Sequence, residues 1–499
     1  MENGSNAVSS LNKINIKRND PALAVYFALG LFAILTCDNY FGVLSVALTG
    51  NGTEHLTYGT GCIAAALGVF LSYFFGLLWN RREKTARTIL FTCYPLAVLF
   101  VVAIAFVKNP VTFFCLLILF HILVGFNAGL CARFLYRAYA SGRAGKLLGV
   151  SSCAGAAVCY FLYFAFPFDN TRMIPVNAIS LTVVIFLMQY IATHRLNIAA
   201  LMAPVEIAED SGSLQQRYKY VLCAICAAIA IMSFMIGVND IAVYSALLDS
   251  ATPTSTSHFL PQLFYLPGLF LAGLLADLRR GKFLPVAALG CVFLISPVIT
   301  LLNKPAQYLA YSWITYFVGG FFLMYIMTSL TAIVQRSRRP AFDAMMSGFL
   351  FFLFSGIGAF LSGVFIRADV FLSFSVYSVL ALCLLFVFYL TGALRAVSLS
   401  DTEQNLVPAA SVPEKTLEEM ATAYGITERE LEALRLLLAG KGTGAIAAEM
   451  HVVANTAQKY ISSMIAKTGV ESRSELLAKF AGRNLSDNYN NSGSNGNNG

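Results

Sequence analysis

The sequence predicts an all-α protein: a polytopic bundle of about twelve membrane helices followed by a small soluble domain of four short helices. Three observations carry this. Of 499 residues, 58% are hydrophobic and only 12% charged, with a mean hydropathy of +0.69. Soluble domains carry about a quarter charged residues, so lipid is the main solvent. Apolar runs of about twenty residues, enough to cross a hydrocarbon core as helix, recur from Pro21 to Leu394. Lysine and arginine gather in alternate loops between them.

The spans fall near 22–49, 58–79, 88–107, 111–136, 147–167, 172–193, 218–247, 256–276, 283–302, 308–334, 342–366 and 370–393. In lipid each backbone polar group must be satisfied within its own segment, which leaves helix as the form for such runs. A polar segment, 1–20, with Lys13, Lys17 and Arg18, precedes them and no cleavable signal peptide is evident. The first loop has no Lys or Arg; the second has Arg81, Arg82, Lys84 and Arg87. The third has only Lys108, the fourth Arg133, Arg137, Arg143 and Lys146, and the fifth only Arg172. Arg133 is expected to snorkel to the surface. The central loop contributes Arg195, Arg217 and Lys219, the seventh none, and the eighth Arg279, Arg280 and Lys282. Lys304, then Arg336, Arg338 and Arg339, then Arg367 complete the series. By the positive-inside rule this alternation places both termini in the cytoplasm.

The eleven cysteines are scattered from Cys37 to Cys383. Cys223 and Cys226 form a CxxC inside an apolar helix with no second pair, and read as small core hydrophobes.

An internal echo divides the membrane region 21–394 into halves 21–193 and 218–394. Gly76-Leu77-Leu78-Trp79-Asn80-Arg81-Arg82 closes the second span, and Gly273-Leu274-Leu275-Ala276-Asp277-Leu278-Arg279-Arg280-Gly281-Lys282 closes the eighth. Two such halves fit parallel repeats about an axis along the membrane normal. The second copy resembles the G-x-L-a-D-r-x-G-r-k motif of major facilitator superfamily transporters; Trp79 and Asn80 erode the first. The resemblance implies that Asp277, Arg279 and Arg280 hold neighbouring helix ends together.

A polar linker, 395–414, with Pro408 and Pro413, leads to a charged, amphipathic module at 415–482; 483–499, nearly all Asn, Ser and Gly beyond Leu485, reads as disordered. Thr427 and Glu430 form a capping box that opens a helix through Leu431, Leu434, Leu437 and Leu438. A second short helix, near 444–450, a break at 451–453 and a third helix over 454–467 follow. Ser472 and Glu475 open a fourth. Four short helices with a tight turn before the third predict a helix-turn-helix, whose third helix enters a major groove.

The module resembles the LuxR-type DNA-binding domain on Thr427, Arg429-Glu430, Glu432, Leu434, Gly440, Ile446-Ala447, Asn455-Thr456, Lys467, Gly469-Val470, Ser472-Arg473 and Glu475-Leu476. The resemblance implies DNA contacts from the third helix, binding as a helix-turn-helix dimer, and a bacterial inner membrane as the location. The candidate DNA-binding residues are Asn455, Thr456, Gln458, Lys459, Ser462, Ser463 and Lys467. Gln458 stands where the family has Lys, Tyr460 where it has His, and Val453 where a Ser cap is usual. Gln still reads an adenine edge. Each lost phosphate contact flattens the salt dependence of binding.

Ionisable groups deep in lipid are costly and mark functional positions. Asp38-Asn39 lies midway along the first span and Asn239-Asp240 midway along the seventh, at matched positions of the two halves. They form a candidate ligand or proton site; the alternative is that each carboxylate bonds a Tyr, a Ser or backbone between packed helices. His121 and His258 read as structural. No catalytic triad, Walker loop, glycine-rich nucleotide loop or metal cluster occurs, so the sequence implies neither enzyme nor cofactor. It points to a membrane-embedded one-component transcriptional regulator that senses an unidentified small-molecule ligand; the alternative is a secondary transporter with an accessory regulatory domain.

Overall fold

The computed structural model describes residues 2–49, 53–139, 144–165, 170–202, 212–248, 261–278, 283–298, 308–334, 340–367, 370–390, 414–439, 441–470 and 473–480. Among them every regular element is helical. Contacts divide the chain into two units, Met1–Leu394 and Arg395–Gly499. The expected linker, the tail, Arg279, Arg280, His258 and Ser472 lie wholly or almost wholly outside the described residues.

In the first unit, α1 (Glu2–Thr49), α2 (Glu54–Arg81), α3 (Glu83–Ala105), α4 (Pro110–Tyr139), α5 (Ala144–Ala165) and α6 (Asn170–His194) form one half. A short α7 (Ile198–Met202) follows. The other half comprises α8 (Gly212–Leu248), α9 (Tyr265–Asp277), α10 (Leu284–Val298), α11 (Tyr308–Val334), α12 (Pro340–Arg367) and α13 (Val370–Leu390). Among the described residues nine helices are long and apolar enough to cross a bilayer, and α9, α10 and α13 hold shorter apolar segments.

The halves repeat one another's packing. α1 packs on α5 and α6, as α8 does on α12 and α13; α2 packs on α4, as α9 does on α11. α3 packs on α6 as α10 does on α13. Between halves, α5 meets α9 and α2 meets α12. Within lipid this association rests on close van der Waals packing, which small residues permit. A Cβ on Gly68 would stand 2.0 Å from the Ile122 carbonyl oxygen, and one on Gly125 1.8 Å from that of Ala65. The counterpart contact uses Gly268, whose Cβ would lie 2.3 Å from the Phe317 carbonyl oxygen.

The echo motif has a defined role in its second copy. Asp277 ends α9, and its carboxylate accepts the Gly145 N–H at 2.8 Å and the Lys146 N–H at 2.7 Å. It thus caps the first turn of α5, where free N–H groups and the helix dipole favour an anion. Beside it, a Cβ on Gly273 would come within 2.7 Å of Gly149 Cα. In the first copy Asn80 is exposed and makes no hydrogen bond among the described residues.

Arg133 departs from expectation. It is buried, 8% exposed, and its Nη2 donates to the Met202 carbonyl at 2.6 Å. Snorkelling fails because α7, unforeseen in the central loop, packs against α4. Gly76 makes the room: a Cβ there would lie 2.1 Å from Arg133 Nη1.

The second unit holds α14 (Glu414–Ala423), α15 (Glu428–Leu438), α16 (Thr443–Glu449), α17 (Ala454–Thr468) and α18 (Arg473–Phe480). Leu434, Leu437, Ile446, Ile461, Met464 and Phe480 build its own buried core. The last four helices are those expected. α14 is an addition: Leu417 and Ala421, four apart, share a helix face and are buried. Glu418 of α14 pairs with Arg435 of α15 at 2.7 Å.

Candidate DNA-binding face and membrane cavity

α16 and α17 are joined by the tight turn Met450–Val453, which passes through the left-handed region at His451, φ 55°. α17 opens on Val453, 70% exposed, which gives no side-chain cap. A valine lacks the oxygen that the first free N–H groups need. Ala457, Ile461, Met464 and Thr468 turn into the module and are buried. Their spacing of three and four residues fixes the opposite face.

That opposite face carries Asn455, Gln458, Lys459 and Ser462, all exposed and none bonded to another described residue. Thr456 is half-buried at its edge, and Tyr460 is half-buried against the core.

Ser463 and Lys467 lie elsewhere in the bonding scheme. Both meet Glu430, the capping-box residue of α15: Lys467 Nζ stands 2.6 Å from Glu430 Oε2, and Ser463 hydrogen-bonds the same carboxylate. The Thr427 N–H and hydroxyl donate to it at 2.8 and 3.0 Å. Burial alone would push this carboxyl up; the hydrogen bonds from Lys467, Ser463 and Thr427 outweigh it and hold it at about 2. Lys459 is therefore the one cation of α17 outside an ion pair among the described residues.

In the first unit a cavity of about 220 Å³ lies between the halves, bordered by α1, α2, α4, α5, α8, α9, α11 and α12. Asp38, Asn39 and Asp240 line it; Asn239 does not. Asn239 is 3% exposed, and its Oδ1 accepts from Tyr311 and Tyr377 at 3.1 and 2.9 Å. Asn239 thus turns to α11 and α13, about 100° around the helix from Asp240. Asp240 Oδ2 accepts from Tyr58 of α2 at 3.1 Å, and the Tyr58 hydroxyl lies 3.2 Å from Ser355 Oγ on α12. Asn39 donates to the Leu35 carbonyl at 2.9 Å. Asp38 is exposed to the cavity and makes no hydrogen bond or ion pair among the described residues. His121 also borders the space, its Nδ1 2.9 Å from the Leu117 carbonyl oxygen. A second, almost wholly apolar cavity of about 170 Å³ shares Leu31, Ile34, Val124, Leu323, Phe351 and Phe352 with the first.

Sequence reasoning missed Tyr58, Gln262 and Thr315 in the polar cavity. Nothing in their local sequence signals the site; only helix packing brings them to it.

Residues 425–480 match the family described as bacterial regulatory proteins, luxR family. No curated protein matches the chain. Similar solved structures include the human organic anion transporter MFSD10 (TETRAN), 14% identical at a TM-score of 0.49, covering 74% of this chain and 99% of that one. Another is the nucleoside transporter NupG, 14% identical at 0.46, covering 74% of this chain and 98% of that one. The helix pairings within the bundle establish the two-half arrangement without them. The chain thus carries a luxR-family helix-turn-helix DNA-binding module at the C-terminal side of a multi-pass membrane domain made of two six-helix halves.

Proposed function

We propose that the protein is a membrane-embedded one-component transcriptional regulator of a bacterial inner membrane, with both termini cytoplasmic. A small ligand in the polar cavity shifts the membrane domain between two conformations, and the module responds in DNA affinity. Such a shift requires unequal ligand affinity for the two states. The observation that carries the reading is the exposed, unbonded face of α17, with Asn455, Gln458, Lys459 and Ser462, in the helix that this family lays in the major groove. Gln458 suits adenine, Lys459 suits a phosphate, and Thr456 sits beside them. Ser463 and Lys467 support the recognition helix through Glu430 rather than reaching DNA. The module binds as a dimer on a two-fold site.

Genome-wide DNA crosslinking of the full-length protein tests this. Enrichment at discrete sites, lost in the Gln458→Ala, Lys459→Ala double variant, is the expected result; enrichment nowhere refutes it. On an enriched site, Lys459→Ala alone reduces the slope of log affinity against log salt by about one.

A second reading is a secondary transporter whose module is an accessory. The enclosed acidic cavity between the halves favours it. Uptake of a ligand into sealed vesicles, abolished by Asp38→Asn, would establish transport.

A further inference from the structure

We propose that the polar cavity takes a small organic ammonium ion: a primary or secondary amine, protonated, on an aromatic or apolar body. The inference deepens the reading of this cavity as the sensing site and rests on it.

The wall supplies acceptors and negative charge. Asp38 and Asp240 stand on α1 and α8, the first helices of the two halves, and no lysine or arginine occurs among the described lining residues. Asp38 has no counter-charge among the described residues. Two further groups are independent of the carboxylates. Gln262 and Thr315, 6% and 5% exposed, line the same cavity, and Gln262 Oε1 and Thr315 Oγ1 have no hydrogen-bond partner among the described residues. A buried oxygen without a donor is costly. Here two such oxygens share a cavity with an unpaired carboxylate; the amide oxygen and the carboxylate take only donors, and the hydroxyl can accept one too. A primary ammonium offers three N–H donors and a positive charge. An anion would meet two carboxylates and no lysine or arginine among the described lining residues, and a neutral hydroxyl compound brings one donor and no charge.

The remaining wall selects the body of the ligand. Phe41, Tyr58, Tyr265, Tyr316, Phe351 and Phe352 line the same space. Aromatic faces attract a desolvated cation and pack a flat apolar group. A volume of about 220 Å³ lies below the roughly 300–1,000 Å³ of sites for drug-sized molecules, so the ligand is small.

The test uses the full-length protein in lipid nanodiscs and a probe series that differs in charge on one ring: benzylammonium, benzyl alcohol and benzoate. Calorimetry is expected to show benzylammonium binding at least tenfold tighter than the other two. Asp38→Asn and Asp240→Asn should each weaken it about ten- to hundredfold, the worth of a hydrogen bond to a charged group. Thr315→Val removes only an orphan oxygen, keeps the shape, and should weaken it about tenfold; it decides the matter if the aspartate variants fail to fold. Equal binding of benzyl alcohol, preference for benzoate, or full affinity in Thr315→Val overturns the proposal. So does displacement of benzylammonium by sodium at equal concentration, which would mark an inorganic-cation site. DNA occupancy in the same preparation separates the two readings: selective benzylammonium binding that leaves occupancy unchanged upholds the site and counts against its coupling to DNA.

Discussion

Glutamate 430 ties two functions of the module together, and replacing it with glutamine keeps its shape while removing its charge. Glu430 closes the capping box on Thr427 and holds Lys467 at 2.6 Å across 37 residues of chain. Its side chain is 6% exposed and that of Lys467 32%, so the carboxylate end is shielded and solvent screens the pair only from the ammonium side. A hydrogen bond to a charged group contributes about 1.5–3 kcal/mol, and Gln keeps part of the cap. Glu430→Gln should therefore destabilise the module by about 1.5–3 kcal/mol, which lowers Tm by roughly 6–24 °C for a domain of this size. The assay is urea and thermal unfolding, followed by circular dichroism, of a fragment from Glu414 onward, which has its own buried core. The sign of the pH dependence is fixed. The folded carboxyl, at about 2, lies below its ordinary 4.5. Its contribution is complete above pH 4.5 and fades as pH falls towards 2. Glutamine does not titrate, so the gap between wild type and variant is constant near neutrality and shrinks by about half at pH 3. Equal midpoints at pH 7, or a gap undiminished at pH 3, would refute the argument.

Three further outcomes follow from the same structure. Val453→Ser supplies the missing cap of α17 at an exposed position, and should raise module stability by about 1 kcal/mol in the same unfolding assay. His451→Gly relieves a left-handed residue that is exposed, and should gain up to about 1 kcal/mol there; a loss would show that the imidazole is needed. Asp277→Asn replaces one of two acceptors at the start of α5 and removes the charge. It should cost the membrane domain about 1–2 kcal/mol, read as a lower melting temperature of the full-length protein in detergent.

The helices themselves are legible because lipid allows few alternatives: each apolar run holds a helix among its described residues, and 308–334 falls on α11. The capping box at Thr427 was equally plain, because it joins residues three apart. What the sequence hid depends on partners distant along the chain. Lys467 stands among the candidates through the family resemblance, and nothing near it in sequence signals the carboxylate on α15 that it meets. Arg133 read as a loop-end cation because its partner is a backbone carbonyl, which carries no signature in sequence. The two acid-amide pairs were visible as polar residues in apolar runs. Their division, with Asn239 turned to Tyr311 and Tyr377 while Asp240 meets Tyr58, comes from helix rotation and packing.

Two of the contacts between the halves are fastened at opposite ends. α5 and α9 are clasped where α9 finishes, by Asp277; α2 and α12 are clasped where α2 begins, by the Tyr58 hydroxyl between Ser355 and Asp240. The first clasp sets a carboxylate on backbone N–H groups, away from the cavity. The second borders the cavity itself: Tyr58 of α2 reaches Ser355 of α12 and Asp240 of α8 at once, so the polar space opens on the hydroxyl that ties one helix of the first half to two of the second.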